Sequence, residues 1–448
     1  MLFRKTIPPI SPLRLTKYLL ALLVLPVGCV DSFDPKFTST VNVVVVDGTI
    51  TNLPEPQVIR LNRSQADPVT GRFGTAPITD ATVQVVVDSS EVINAHETIA
   101  GTYRLPSDFR GQVGHSYQLR LTLPDGTRYL STSQVMPAVP PIEKVQAQFT
   151  TQAPRPNDPT GLMSAHEFYL DTKDPAEEHN YYLWDWRVYE RQEWCRSCEQ
   201  GVYAVNNIIP KKYFHNMFVS GEELFEDCFI PPPPDPNDWQ APSVDRTYWV
   251  YDYRCRTRCW EIIHNYNLNL FDDALTNGGP IRGRKVATIP YYQRIGCLVV
   301  IRQLGLTKDA YQFYKIVETQ SQNSGGLADT PPSAPVGNVK NVANERENVV
   351  GFFTASAVSE VRHWLDRKDA TGLPIAAYDE KGNPLHAHEE LYFALYNRRP
   401  YPEPYPPYTG EREAVKIQIW GGPPRVPTAV CVPSDSRTPQ IPLGWPDE

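Results

Sequence analysis

The chain has 448 residues, of which 44 are proline, roughly twice the usual share, and carries a formal charge of −8 with 41% apolar residues. So much proline excludes a helical bundle or coiled coil, because Pro removes a helix donor and clashes with the preceding turn. The acidic balance gives no general attraction to nucleic-acid phosphates, so nucleic acid is excluded as a partner.

Residues 1–28 hold Arg4, Lys5, Arg14 and Lys17 and no acid, so the remainder stands at −12. A basic region, a short apolar stretch over Tyr18–Val27 and a small residue before Cys29 read as a lipoprotein signal peptide. The stretch is half of what a bilayer span needs, so membrane attachment is expected through lipid on Cys29. Pro26 departs from the usual box. Residues 29–40 are then an acidic tether carrying Asp31 and Asp34, which matches an address on the outer face of an outer membrane.

From Val41 the pattern becomes β. Val43–Val46 closes on Asp47–Gly48, and Val58–Leu61, Ala81–Val87 and Gly101–Leu105 follow. In Tyr117–Leu123, Tyr117, Leu119, Leu121 and Leu123 alternate with polar residues, and Asp125–Gly126 supplies a hairpin turn. Short strands at near-regular spacing predict an Ig-like or transthyretin-like β-sandwich over 41–138, ending at Pro137–Pro141. Residues 142–448 read as a larger β-rich domain. Tyr181–Tyr189 and Thr247–Tyr253 are aromatic-rich strands. Their Trp184, Trp186 and Trp249 are either cross-strand core or a platform for a sugar face. Pro231–Pro236 and Tyr401–Tyr408 are extended loops. Cys297–Leu304 is a strand, and one helix is predicted near 307–323, capped by Thr307 with Ala310, Phe313, Tyr314 and Val317 on one apolar face. Asn348–Ser356 and Val358–Leu365 are the next strands.

Chemistry-bearing motifs are sparse. With Cys29 lipidated, seven cysteines remain, so at least one is unpaired within the chain. Cys195, Cys198, Cys255 and Cys259 are disulfide candidates in an oxidising compartment, with four thiolates to zinc as the alternative. The pairs His96–Glu97, His166–Glu167 and His388–Glu389 lack the second histidine of a zinc-protease helix. His386 and His388 form only a weak metal motif, and Glu222, Glu223, Glu226 and Asp227 read as a solvated face. There is no nucleophile elbow, and Gly278–Lys285 lacks the Ser/Thr of a phosphate loop. No catalytic residue, cofactor or metal is assigned, and the expected protein is not an enzyme.

The blocks Leu304–Tyr314, Gly325–Asp329, Gly337–Val342 and Gly351–Ser359, with Val46–Ile50, Asp80–Val83, Gly101–Tyr103 and Gly126–Ser131, resemble the Bacteroidota lipoprotein family called domain of unknown function 4249. The resemblance implies a surface accessory of a TonB-dependent outer-membrane receptor, and it carries no catalytic residues. Members usually close on a Cys-x-x-Cys, whereas Cys431–Ser434 keeps only the first cysteine. Cys431 is therefore the expected odd thiol. The function expected is substrate capture or docking at such a receptor, with a glycan-binding or adhesive module as the alternative.

Overall fold

A computed structural model describes residues 43–66, 73–155, 158–176, 178–199, 202–212, 215–220, 226–229, 250–321, 335–378, 384–385, 389–397 and 428–446. Cys29, the leader and the tether lie outside the described residues. By its contacts the chain divides into two units, residues 1–42 with 64–75, and residues 43–63 with 76–448.

The architecture is mainly β. In Ser116–Thr122 the expected alternation is realised, with Tyr117, Leu119 and Leu121 buried and their neighbours half-buried. The Asp-Gly turn closes as predicted. Gly126 sits at φ 85°, Leu123 donates its N–H to Thr127 O at 2.8 Å, and Asp125 accepts from Thr127 N. Ser116–Thr122 pairs antiparallel with Thr82–Val87 and Arg128–Ser131, and Thr82–Val87 pairs with Glu91–Ile99. Glu91–Ile99 also pairs with Thr102–Arg104, which leads through Val58–Ala66 to Val43–Thr51. One strand thus belongs to both layers and turns the corner between them.

Both open ends of this sheet are filled from far along the chain. Val339–Asn341 adds to Arg128–Ser131, and Val349–Ser356 runs parallel to Val43–Thr51 over eight residue pairs. Asn338 ties the two additions together, because its side chain accepts from Phe353 N at 2.9 Å and donates to Phe353 O at 2.8 Å. The layers enclose Val44, Val46, Ile50, Ile59, Val85, Leu119, Tyr103 and Phe353. The sandwich expected over 41–138 therefore takes two strands from beyond residue 142.

A second pair of sheets follows. Ile142–Arg155, Asp158–Lys173 and Pro280–Pro290 form one antiparallel layer. The other runs Val358–Leu365, Cys297–Leu306, Tyr181–Arg191, Trp260–His264 and Arg437–Thr438, with Asn269–Asp272 also along Tyr181–Arg191. Phe168, Leu170, Tyr182, Trp184, Val188, Val299 and Ile301 fill the space between. Cys297–Leu306 is central and almost wholly buried, hence the unbroken apolar run Cys297–Ile301. Strand Val202–Lys212 pairs with His215–Ser220 and Glu226–Phe229.

The predicted helix spans Lys308–Ser321. Thr307 Oγ1 accepts from Ala310 N and donates to Gln134, while Ala310 and Phe313 pack on Leu270, Leu306 and Phe352. Polar contacts join the sandwich to the second layer. Val358 N donates to Asn52 at 2.8 Å, and both Arg302 (2.6 Å) and Arg187 (3.2 Å) reach Glu55.

Candidate binding pocket

A pocket of about 410 Å³ opens where the closing strand of the sandwich meets the second sheet. Parallel pairing puts Thr49 opposite Thr354 and Thr51 opposite Ser356. Side-chain alternation sends Thr354 and Ser356 to one face, and with Thr49 they line one wall. Leu183, Asp185, Leu304 and Leu306 line the other, from Tyr181–Arg191 and its neighbour Cys297–Leu306. Tyr314 comes from the helix, and the loop Asn265–Leu268 forms the rim.

The chemistry of this lining is unusual for a core. Thr354 Oγ1 and Ser356 Oγ are buried and have no hydrogen-bond partner among the described residues. A buried hydroxyl left unmade costs about 1–3 kcal/mol, so these groups are set for a ligand or for water. Burial holds the Asp185 carboxyl above its usual range, against the hydrogen bonds of Trp186 N and Asn265 and the charge of Arg302. Tyr314, whose hydroxyl meets Thr49, is pushed up to about 12, mostly by burial, and stays neutral. Tyr266 stands at the rim with 91% of its surface exposed. Hydroxyls, amides, one carboxyl and an exposed aromatic ring around a leucine floor can grip a small polyhydroxylated molecule on several sides.

The aromatic platform needs correction. Trp184 is fully buried, its Nε1 donates to Gln303 Oε1 at 2.9 Å, and the Arg284 guanidinium covers its ring at 5.1 Å. It faces inward because the period-two alternation of its strand points it between the layers. Trp186 packs half-buried beside the same core, and Trp249 lies outside the described residues. The sequence offered no signal for the pocket hydroxyls, whose wall forms only when residues 49 and 354 become neighbours.

Among the described residues two disulfides form, Cys195–Cys255 with S–S 2.12 Å and Cys259–Cys431 with S–S 2.14 Å. Cys431 is thus bonded rather than odd, because the parallel strand Thr428–Ala429 delivers it beside Val250–Cys255. The free cysteine among the described residues is Cys297, buried in the central strand. The Cys198 side chain and Cys228 lie outside the described residues, as do His386, His388 and the side chains of Glu222, Glu223, Glu226 and Asp227. His166 is buried and bonds Asp369 at 2.9 Å, and Glu167 accepts from Tyr169 and Lys285. The Gly278–Lys285 stretch enters the strand Pro280–Pro290, with no helix after it to form a phosphate loop. Among the described residues no helix is long and apolar enough to cross a membrane.

Fold and site together define a mainly β protein of two layered sandwiches, with disulfides beside the second and a polar-walled pocket where the two meet. The chain belongs to the family described as domain of unknown function (DUF4249), whose pattern matches residues 30–362. That span includes the strands Val339–Asn341 and Val349–Ser356 that close the sandwich, and ends within Val358–Leu365. No characterised protein and no solved structure matches the chain.

Proposed function

We propose that this protein is a lipid-anchored protein of the outer-membrane surface that captures a small ligand for a TonB-dependent receptor, without itself catalysing a reaction. The pocket carries the reading. It is large enough for a small organic molecule and presents buried hydroxyls that lack hydrogen-bond partners among the described residues. The leader, Cys29 and the acidic residues after it support the address, and the family resemblance supports the receptor. Gentle extraction from native membranes tests it. The receptor is expected to co-elute in mild detergent, and recovery of this chain alone at every detergent strength would contradict the proposal.

A glycan-binding surface module is the second reading. It now rests on Tyr266 and the pocket amides Asn265 and Asn267 rather than on Trp184. A glycan array in which nothing binds would remove it and leave capture of another polar molecule.

A further inference from the structure

We propose that His179, Asp272 and Asp273 form a divalent transition-metal site, with zinc as its first occupant. The three side chains stand on adjoining segments. Tyr181 pairs with Asp272 in the register of Tyr181–Arg191 and Asn269–Asp272, which sets the preceding His179 against the turn Asp272–Ala274. His179 Nε2 lies 2.5 Å from Asp272 Oδ1 and 3.2 Å from Asp273 Oδ1, and one ligand atom from each of the three residues lies within 4.8 Å of the others.

The observation that asks for an ion is Asp273. Its side chain is fully buried, and although Oδ2 accepts from Asn180 N at 2.9 Å, Oδ1 faces the cluster with only the His179 Nε2 contact at 3.2 Å and no hydrogen bond among the described residues. A buried carboxylate oxygen without a donor is costly. Asp174, itself buried, adjoins Asp273, and its own oxygens are occupied by Tyr182 and Gly278 N. Two carboxylates therefore meet one imidazole, with the Asp174 carboxyl behind them, and a dication supplies positive charge to the group. A mixed set of one imidazole and two carboxylates suits zinc-like ions better than calcium or magnesium, which take oxygen ligands alone.

Zinc bonds of about 2.0–2.2 Å place tetrahedral ligand atoms about 3.4 Å apart. The Asp273 separation already fits. The Asp272 separation opens by roughly 0.9 Å on that geometry, a movement available to His179, whose side chain is 47% exposed. That exposure also leaves a fourth position to water, as in open rather than closed zinc sites.

The test uses the full mature chain, oxidised, treated with chelator and titrated with zinc chloride by calorimetry. One equivalent is expected to bind with a dissociation constant of micromolar or tighter, and to raise the melting temperature. His179→Gln and Asp273→Asn, folded by circular dichroism, are each expected to weaken binding at least about tenfold, and cobalt is expected to bind without a thiolate charge-transfer band. The absence of a tight equivalent would overturn the proposal. So would zinc that binds the two variants as well as the parent, or that binds only after reductant, which would place it on the cysteines. Calcium binding that persists in His179→Gln without zinc affinity in the parent would overturn it as well.

Discussion

Arg367 shows how much a single residue can carry in this fold. Its side chain is fully buried at φ 59° and forms a two-pronged pair with Glu190. It also donates to Gln293 O at 3.1 Å, Ile295 O at 2.5 Å and Cys297 Sγ at 3.3 Å. Removing one partner strands a buried charge, so Arg367→Ala is expected to cost about 3–5 kcal/mol by chemical denaturation. Because replacing both charges removes the desolvation cost as well, Glu190→Leu with Arg367→Met should lose less than either single change. None of this was legible in the sequence. Arg367 and Glu190 are ordinary charged residues 177 positions apart, and nothing local marks them as buried. Gly351 is a second such residue. It sits at φ 104°, and a Cβ there would lie 1.8 Å from Val46 O on the partner strand. Gly351→Ala is expected to destabilise by at least about 2 kcal/mol in thermal unfolding, through strain at positive φ and loss of the parallel contact.

At the scale of elements, local pattern was a good guide wherever the chain makes its own short-range partners. Ser116–Thr122 reads from its alternation, its hairpin from Asp125–Gly126, and Lys308–Ser321 from its cap and apolar stripe. Pairings between distant strands carry no such local signal. The strands Val349–Ser356 and Val43–Thr51 could each be recognised from pattern, but their pairing could not, and the pocket wall depends on that pairing. Cysteine pairing was hidden for the same reason. Cys259–Cys431 spans 172 positions and needs the parallel strand Thr428–Ala429 to bring its ends together. A crosslink over so long a loop restricts the unfolded chain, so Cys259→Ser with Cys431→Ser is expected to lower stability by about 2–5 kcal/mol. An unchanged denaturation midpoint in that variant would argue that the bond adds nothing.

Across the whole molecule, pH dependence follows from groups in both layers of the second sandwich. Burial pushes the imidazoles of His166 and His363 below their usual range, more than Asp369 raises the first or Asp366 the second. As pH falls, the unfolded chain takes up these protons first, at about 6.5. Stability should therefore be full above that value and decline from it toward the lower folded values. Burial alone would raise Glu55, yet Arg302 and Arg187 hold it below its usual range. Its contribution is present above the unfolded value and is lost as pH falls through the folded one, so a second decline follows in acid. Urea midpoints at about pH 7.5, 6 and 5 should fall in that order, and His166→Gln with His363→Gln should flatten the series.

The high proline content and acidic charge that set aside helical and nucleic-acid-binding classes are consistent with this layered β architecture. They do not reveal where a ligand sits. The central claim is that the pocket between the closing strand and the second sheet does the capturing, and binding across a panel of saccharides and other small polar molecules tests it most directly. The parent protein should bind at least one member, and Ser356→Val and Tyr266→Ala should each weaken that binding about tenfold, close to 1.4 kcal/mol, with melting temperatures little changed. Binding that is identical in the parent and both pocket variants would contradict the account.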